Sequence, residues 1–334
     1  ICDRKNNNLH LCNQKTYCCP CKSFPYLKEI LICIAKKYNL PLQKAGVYKL
    51  TNNITYNMFN RFYNSNDVLK QDDKMNNIKK HAIWMKMGYK IQFHDVGIIF
   101  DLIFRVAFRY IFLSFLWSSI FQNNSIAGWT DESYRIYIGA STFLSSISSY
   151  PNIYFMSMDM KSGNIINYLE KPMYYPYQVI YKNMGICISN VLILAPVFII
   201  YMFISGTSLV GENVLWFIIL SILGVITYIL FDVLLGLLTF WTENSWGLTL
   251  LEGTIFMFFS GRMLPLDFFP EQLGRALRLS PFSGMIYEPV MILINGMGER
   301  GHFIIIQLIW ILVFYMLIRF VFSKCRNNIT IYGG

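Results

Sequence analysis

From residue 97 onward the chain is built of apolar runs about twenty residues long, separated by short polar stretches. A helix crossing a bilayer core needs roughly 20 apolar residues. The pattern therefore predicts spans over about 97–121, 134–155, 178–205, 214–240, 246–260 and 302–323. Ahead of them, Ile83, Trp84, Met85, Met87, Tyr89, Ile91 and Phe93 alternate with Lys86, Lys90 and His94. That mixture fits an amphipathic helix over 81–95 on the cytoplasmic face, or a plain juxtamembrane extension of the first span. Residues 1–80 are polar and rich in Asn and Lys, with one helically spaced patch at Leu27, Ile30, Leu31 and Ile34. Residues 64–80 read as a linker.

The fifth run is the unusual one. It stops at Ser260, Gly261 and Arg262 and is followed by Pro265, Pro270, Pro281 and Pro289. Prolines and charges forbid one straight spanning helix, yet Leu264, Leu266, Phe268, Phe269, Leu273, Leu277, Leu279 and Phe282 forbid an ordinary solvated loop. Broken backbone at membrane depth is tolerated only where protein or a water-filled cavity covers it. Gly261 allows a close approach or an unusual turn, and Pro265 and Pro270 are expected to end helical pieces.

Composition agrees with a membrane protein. Hydrophobic residues make up 54 % of the chain, charged residues 14 %, and mean hydropathy is +0.39. Soluble domains carry about 25 % charged residues. The net charge of +10 belongs to the N-terminal segment: residues 1–90 hold 16 Lys and Arg against 5 Asp and Glu. The positive-inside rule places that segment in the cytoplasm, where its basic face suits anionic lipid. Nucleic-acid binding is the rival reading of the charge, and the attached membrane domain argues against it. Asp131, Glu132 and Glu212 then fall outside, while Lys161, Lys171, Lys182, Lys324 and Arg326 fall inside, with both termini cytoplasmic. Arg262, Arg275, Arg278 and Arg300 break the rule, in a loop that also holds Asp267, Glu271, Glu288 and Glu299. The sequence starts at Ile1 with neither an initiator methionine nor a signal-peptide pattern, as expected of a fragment or a processed chain.

Few residues offer chemistry. Asp101, Arg105 and Arg109 share one face of the first span at i, i+4, i+8. They are either a polar lining of a substrate route or a paired cluster that fixes helix packing. Asp232 and Glu252 are the other intramembrane acids. Helix packing, or pairing with a base such as Arg262, suits them better than a proton relay. In the loop after the second span, Lys161, Ser162 and Gly163 offer a turn and helix start. Ile165, Ile166, Tyr168 and Leu169 give a short apolar face, and Pro172 ends it. Such a helix docks into a groove on a partner or lies on the membrane. Cys12, Cys18, Cys19 and Cys21 with His10 form a poorly spaced zinc candidate beside the reading of incidental reduced thiols. No glycine-rich loop followed by Lys-Ser/Thr cradles a phosphate, so this chain is not expected to hydrolyse ATP.

Three stretches together resemble the ABC-2 type permeases of ABC transporters, in the bacterial branch of multidrug and antibiotic exporters. They are the loop MDMKSGNIINYLEKPMYYPYQ, the broken segment that follows the fourth span, and the tail RNNITIYGG. The resemblance covers about residues 80–334. It implies an all-α membrane fold of the type V exporter kind. Six transmembrane helices would carry a re-entrant helical hairpin before the last, and the domain would occupy 81–334 behind a 1–80 extension that has no counterpart in the family.

By the same resemblance, Lys161, Ser162, Gly163, Leu169 and Pro172 would couple to a nucleotide-binding ATPase subunit, and 81–95 would be the connecting helix. Gly261, Arg262, Pro265 and Pro270 would gate the exit, so that Gly261→Val impairs export while assembly survives. ATP and Mg would sit on the partner, with no cofactor on this chain. A second permease subunit, identical or different, would complete the transporter in the bacterial cytoplasmic membrane, and the cargo would be a hydrophobic compound, antibiotic or peptide. A sensor or immunity protein without transport is the alternative, and a lipid-modifying membrane enzyme another.

Overall fold

A computed structural model of the protein describes residues 77–94, 96–120, 128–148, 152–207, 211–242 and 245–325. The chain divides into two units, Ile1–Gln71 and Asp72–Gly334, and all described residues lie in the second. The cysteine and histidine candidates of the first 80 residues and the Gly-Gly tail fall outside them.

The described residues are helical, without strands. In chain order the helices are α1 Asn77–His94, α2 Val96–Ile120, α3 Asp131–Ile147, α4 Asn152–Lys161, α5 Ile165–Leu169, α6 Tyr175–Ile204, α7 Gly211–Thr242, α8 Ser245–Phe259, α9 Glu271–Arg278, α10 Tyr287–Asn295 and α11 His302–Cys325. Three of them, α6, α7 and α11, are long and apolar enough to cross a membrane. Helix α2 has the length, at 25 residues, but carries Asp101, Arg105 and Arg109. Helix α8 has only 15 residues. At about 1.5 Å per residue it is too short to cross a core of about 30 Å alone.

The expected span over 134–155 is not one helix. Helix α3 ends at Ile147 and α4 starts afresh at Asn152. Pro151 stands between them in the sequence, and a proline cannot supply the amide that a continuous helix needs. The start of α3 is fixed locally by a capping box, in which Thr130 and Ser133 satisfy one another's backbone amides.

Helix α7 is the centre of the bundle. It packs on α4, α8, α10 and α11, with Val233, Leu237, Thr227 and Thr239 fully buried. Helix α1 lies along α6, in the most extensive pairing of the unit. Its buried seam is Trp84, Gly88 and Gln92, at i, i+4, i+8, whereas Tyr89 and Phe93 stay exposed. Of the apolar residues read from the sequence, Trp84 is buried, Ile83, Met85, Met87 and Ile91 are half-buried, and Tyr89 and Phe93 are exposed.

Candidate functional site

Three places hold the residues singled out by the sequence. The first is the loop between α4 and α6. Lys161 and Ser162 are exposed, and Gly163 turns the chain at φ +72°. The helix runs only from Ile165 to Leu169 and ends before exposed Pro172. Its apolar residues split between two faces. Ile165 is buried and Tyr168 packs on the core, while Ile166 and Leu169 are 38 % and 40 % exposed.

Groups that sequence reasoning passed over hold this loop in place. Gln178 of α6 donates from Nε2 to the carbonyls of Tyr168, at 2.8 Å, and Met173, at 2.6 Å. Lys171 sets its ammonium 4.8 Å from the Trp84 ring of α1 and 5.0 Å from the Tyr168 ring. The loop is thereby fastened to both α6 and α1. A small cleft beside it is lined by Trp84, Asp159, Tyr168, Gln178 and Lys182. The lone Trp in a Lys-rich helix and the Lys in the loop were the available signals, but nothing in the sequence placed them together.

Burial pushes the Asp159 carboxyl from its ordinary 3.8 up to about 6, and nearby Lys182 and Lys171 limit the rise. Burial, and after it Lys182, lowers the Lys171 ammonium, which Asp159 opposes. An acid with a raised folded pKa binds more protons folded than unfolded between about pH 4 and pH 6. Its charge therefore opposes folding increasingly across that window and in full above it. Asp159→Asn is expected to raise the melting temperature at pH 7.5 and to lose most of that advantage at pH 4.5. A pH series of melting curves in detergent checks this, and a pH-independent difference would contradict it.

The second place is the set of charged residues in the long helices. Asp101 and Arg105 form an i, i+4 pair at 2.8 Å on the surface, both more than half exposed. Arg109, one turn on, instead donates to Ser145 Oγ of α3 at 3.1 Å. Asp232 is buried and accepts from Asn152 Nδ2 of α4 at 2.5 Å. Glu252 of α8 accepts from the Tyr228 hydroxyl at 2.8 Å and lies within electrostatic reach of Arg262. Asp232 and Glu252 thus tie α4 and α8 to neighbouring positions on one face of α7, where those two helices also touch each other. Removing the donor leaves a buried carboxyl without it, which costs about 1–3 kcal/mol or more for a charged group. Asn152→Leu is expected to lower the melting temperature strongly and Asp232→Asn mildly. Equal melting curves for Asn152→Leu and the unaltered chain would remove that role.

The third place is the broken segment. After α8 the chain turns through Ser260 and Gly261, and Gly261 is buried at φ +80°. A 3-10 turn, Leu266–Phe268, and α9 follow. Pro265 stands immediately before the 3-10 turn, and Pro270 both follows the end of that turn and stands immediately before α9. A first-turn position needs no amide donor, so the missing N–H that stops a helix is harmless where one begins. The segment then closes on itself, the Tyr287 amide donating to the Ser260 carbonyl at 3.1 Å. Tyr137 of α3 donates to the Gly261 carbonyl at 2.5 Å. Asp267 accepts from Tyr287 at 2.7 Å and pairs with Arg278. Fully buried Glu288 pairs with Arg300 at 2.7 Å. Arg262 is half-buried, its guanidinium 5.8 Å from the Phe256 ring.

A family model described as ABC-2 family transporter protein matches residues 104–333, well over half of the chain. The chain belongs to that family. No curated protein and no solved structure matches it. This ABC-2 protein is therefore a multi-pass membrane permease, the transport component of an ABC transporter, whose family implies association with an ABC ATPase subunit. The matched residues take in the loop after α4, Arg105 and Arg109 of α2, and the broken segment.

Proposed function

We propose that the permease is the membrane half of an ATP-driven exporter of the bacterial cytoplasmic membrane, moving a hydrophobic compound, antibiotic or peptide outward. ATP and Mg bind a separate ATPase subunit, which docks on the loop 161–172. A second permease subunit completes the transporter. Six spans put both termini in the cytoplasm, with α2, the 134–155 stretch of α3 and α4, α6, α7, α8 and α11 as the crossing elements. The 260–287 segment is then a re-entrant hairpin that closes the outer exit at Gly261, Arg262, Pro265 and Pro270.

The observation that carries this reading is the outward edge of α5. Ile166 and Leu169 present an exposed apolar pair on a loop pinned by Gln178 and Lys171. A short helix face of that kind suits a groove on a partner protein. A push on it passes directly to α6 and α1, because those contacts leave the loop little freedom of its own. With Ile166→Asp and Leu169→Asp together, the permease is expected to stay folded and lose its ATPase partner during affinity purification. Retention of the partner by the double variant would exclude the loop as the dock.

A further inference from the structure

Helix α11 is long and apolar enough to cross a membrane, yet it carries Arg319 well inside its length. That residue stands six positions before the helix ends at Cys325, roughly 9 Å at the helical rise. A charge within a span normally faces the bundle interior. Arg319 is instead exposed on the outer surface of the helix. Among the described residues it forms no ion pair.

Two tyrosines stand beside it. Tyr315 lies one turn back on the same face of α11. Its hydroxyl is hydrogen-bonded at 2.8 Å to that of Tyr177, in the first turn of α6. The two rings stack, with centroids 6.1 Å apart and planes 7° from parallel. The Arg319 guanidinium is within hydrogen-bond reach of the Tyr315 hydroxyl and electrostatic reach of Tyr177. Nearer the end of α11, Tyr174 packs on Phe322 at 4.7 Å. Helices α6 and α11 both lie on α7, and these rings join them where α6 begins. Tyrosines at such a seam suit the boundary between lipid and water.

The cluster has donors to spare. A guanidinium carries a fork of N–H donors and no acceptor. Of the two phenolic O–H donors, the bond between the hydroxyls uses one and leaves the other. A phosphate supplies the missing acceptors, and its oxygens match the arginine fork. The ligand comes from the bilayer, because Met316 and Phe320 are exposed beside Arg319 and would lie along its acyl chains. A zwitterionic headgroup would bring its own ammonium next to Arg319, where no carboxylate is paired to receive it. An anionic headgroup brings phosphate oxygens and no cation. Basic sites between helices at the cytoplasmic side hold such headgroups.

We propose that Arg319, Tyr315 and Tyr177 form a binding site for the phosphate of an anionic phospholipid, at the seam between α6 and α11. The site rests on the reading of α11 as the last span, with Arg319 toward the cytoplasmic leaflet.

The test is native mass spectrometry of the full chain in a neutral detergent, titrated with palmitoyl-oleoyl phosphatidylglycerol and with the matching phosphatidylcholine. The first phosphatidylglycerol is expected to bind about tenfold more tightly than phosphatidylcholine. Arg319→Gln should remove that preference. Tyr177→Phe with Tyr315→Phe should weaken phosphatidylglycerol about threefold. Lys86→Gln removes an exposed cation of α1 outside the cluster and should change nothing. Equal affinity for the two lipids overturns the proposal, and that comparison needs only the unaltered chain. A loss in Lys86→Gln as large as that in Arg319→Gln overturns it too, since general positive charge would then account for binding. Full retention by the double tyrosine variant overturns the three-residue site. Displacement of the lipid by millimolar inorganic phosphate assigns the site to a free anion and overturns the lipid. Detergent has no leaflets and no ATPase subunit is present, so neither a reversed topology nor a failed exporter reading can produce these negative results.

Discussion

Replacing Gly185 by leucine separates α1 from α6. The two helices meet backbone to backbone. A Cβ on Gly185 would lie 1.9 Å from the Met85 carbonyl oxygen, and one on Gly88 would lie 1.8 Å from the Lys182 carbonyl oxygen. Nearby, Ser189 donates to the Tyr89 carbonyl at 2.9 Å. A side chain facing a new methyl group can rotate away, but a carbonyl inside a helix cannot. Overpacking of this kind costs about 1–3 kcal/mol in general, and the rigid neighbours here put it at the top of that range. The loss spreads, because Trp84 of α1 is the ring under Lys171. Freed from α6, α1 no longer helps to hold the loop 161–172. Hydrogen exchange across 77–94 should rise in Gly185→Leu while exchange in α7 stays protected. Unchanged protection of α1 would show that the glycine contact does not hold it.

Gly261→Val is expected to abolish transport more completely than any other single change in the broken segment. At φ +80° a β-branched residue is strained by about 1–3 kcal/mol. Its Cβ would also sit 2.6 Å from the Tyr137 hydroxyl and 3.0 Å from Tyr287 Cβ. The tyrosine must withdraw, and the bond to the Gly261 carbonyl goes with it, at a further cost of about 1 kcal/mol. The damage is confined to the turn and its contacts with α3 and α10, since the packing of α7 on α11 involves neither partner. Size-exclusion profiles should therefore stay normal while ATP-dependent uptake into inverted vesicles falls to background. Tyr137→Phe, which removes only the hydrogen bond, should fall in between. Gly253→Ala, with open space around its Cβ, should behave as the unaltered chain.

What could be read from the sequence follows from the range of the interaction that fixes each feature. Helices α6, α7 and α11 lie within a few residues of the apolar runs, because a span is defined by its own length and polarity. The pair of Asp101 and Arg105 was legible for the same reason, being a neighbour contact within one helix. The partners of Arg109 and Asp232 were not, since Ser145 and Asn152 reach them only through tertiary packing. The seam of α1 was hidden for another reason. Its buried residues are Trp84, Gly88 and Gln92, and the close approach depends on two glycines, Gly88 against the Lys182 backbone and Gly185 against the backbone of Met85 and Tyr89, which no single-helix pattern shows. Pro265 was read as an end and stands at a beginning, and Pro270 is both, because the property that breaks a helix interior is harmless where a helix starts. Pro151, by contrast, already carried the break between α3 and α4.

Affinity purification of the full chain from its native membrane, with vanadate-sensitive ATPase activity followed in the eluate, tests the central claim most directly. A permease coupled through the loop 161–172 brings down that activity. Ile166→Asp with Leu169→Asp abolishes it, while the variant elutes at the same volume and melts at the same temperature. Absence of ATPase activity with the unaltered chain, or equal activity with the double variant, would contradict the account.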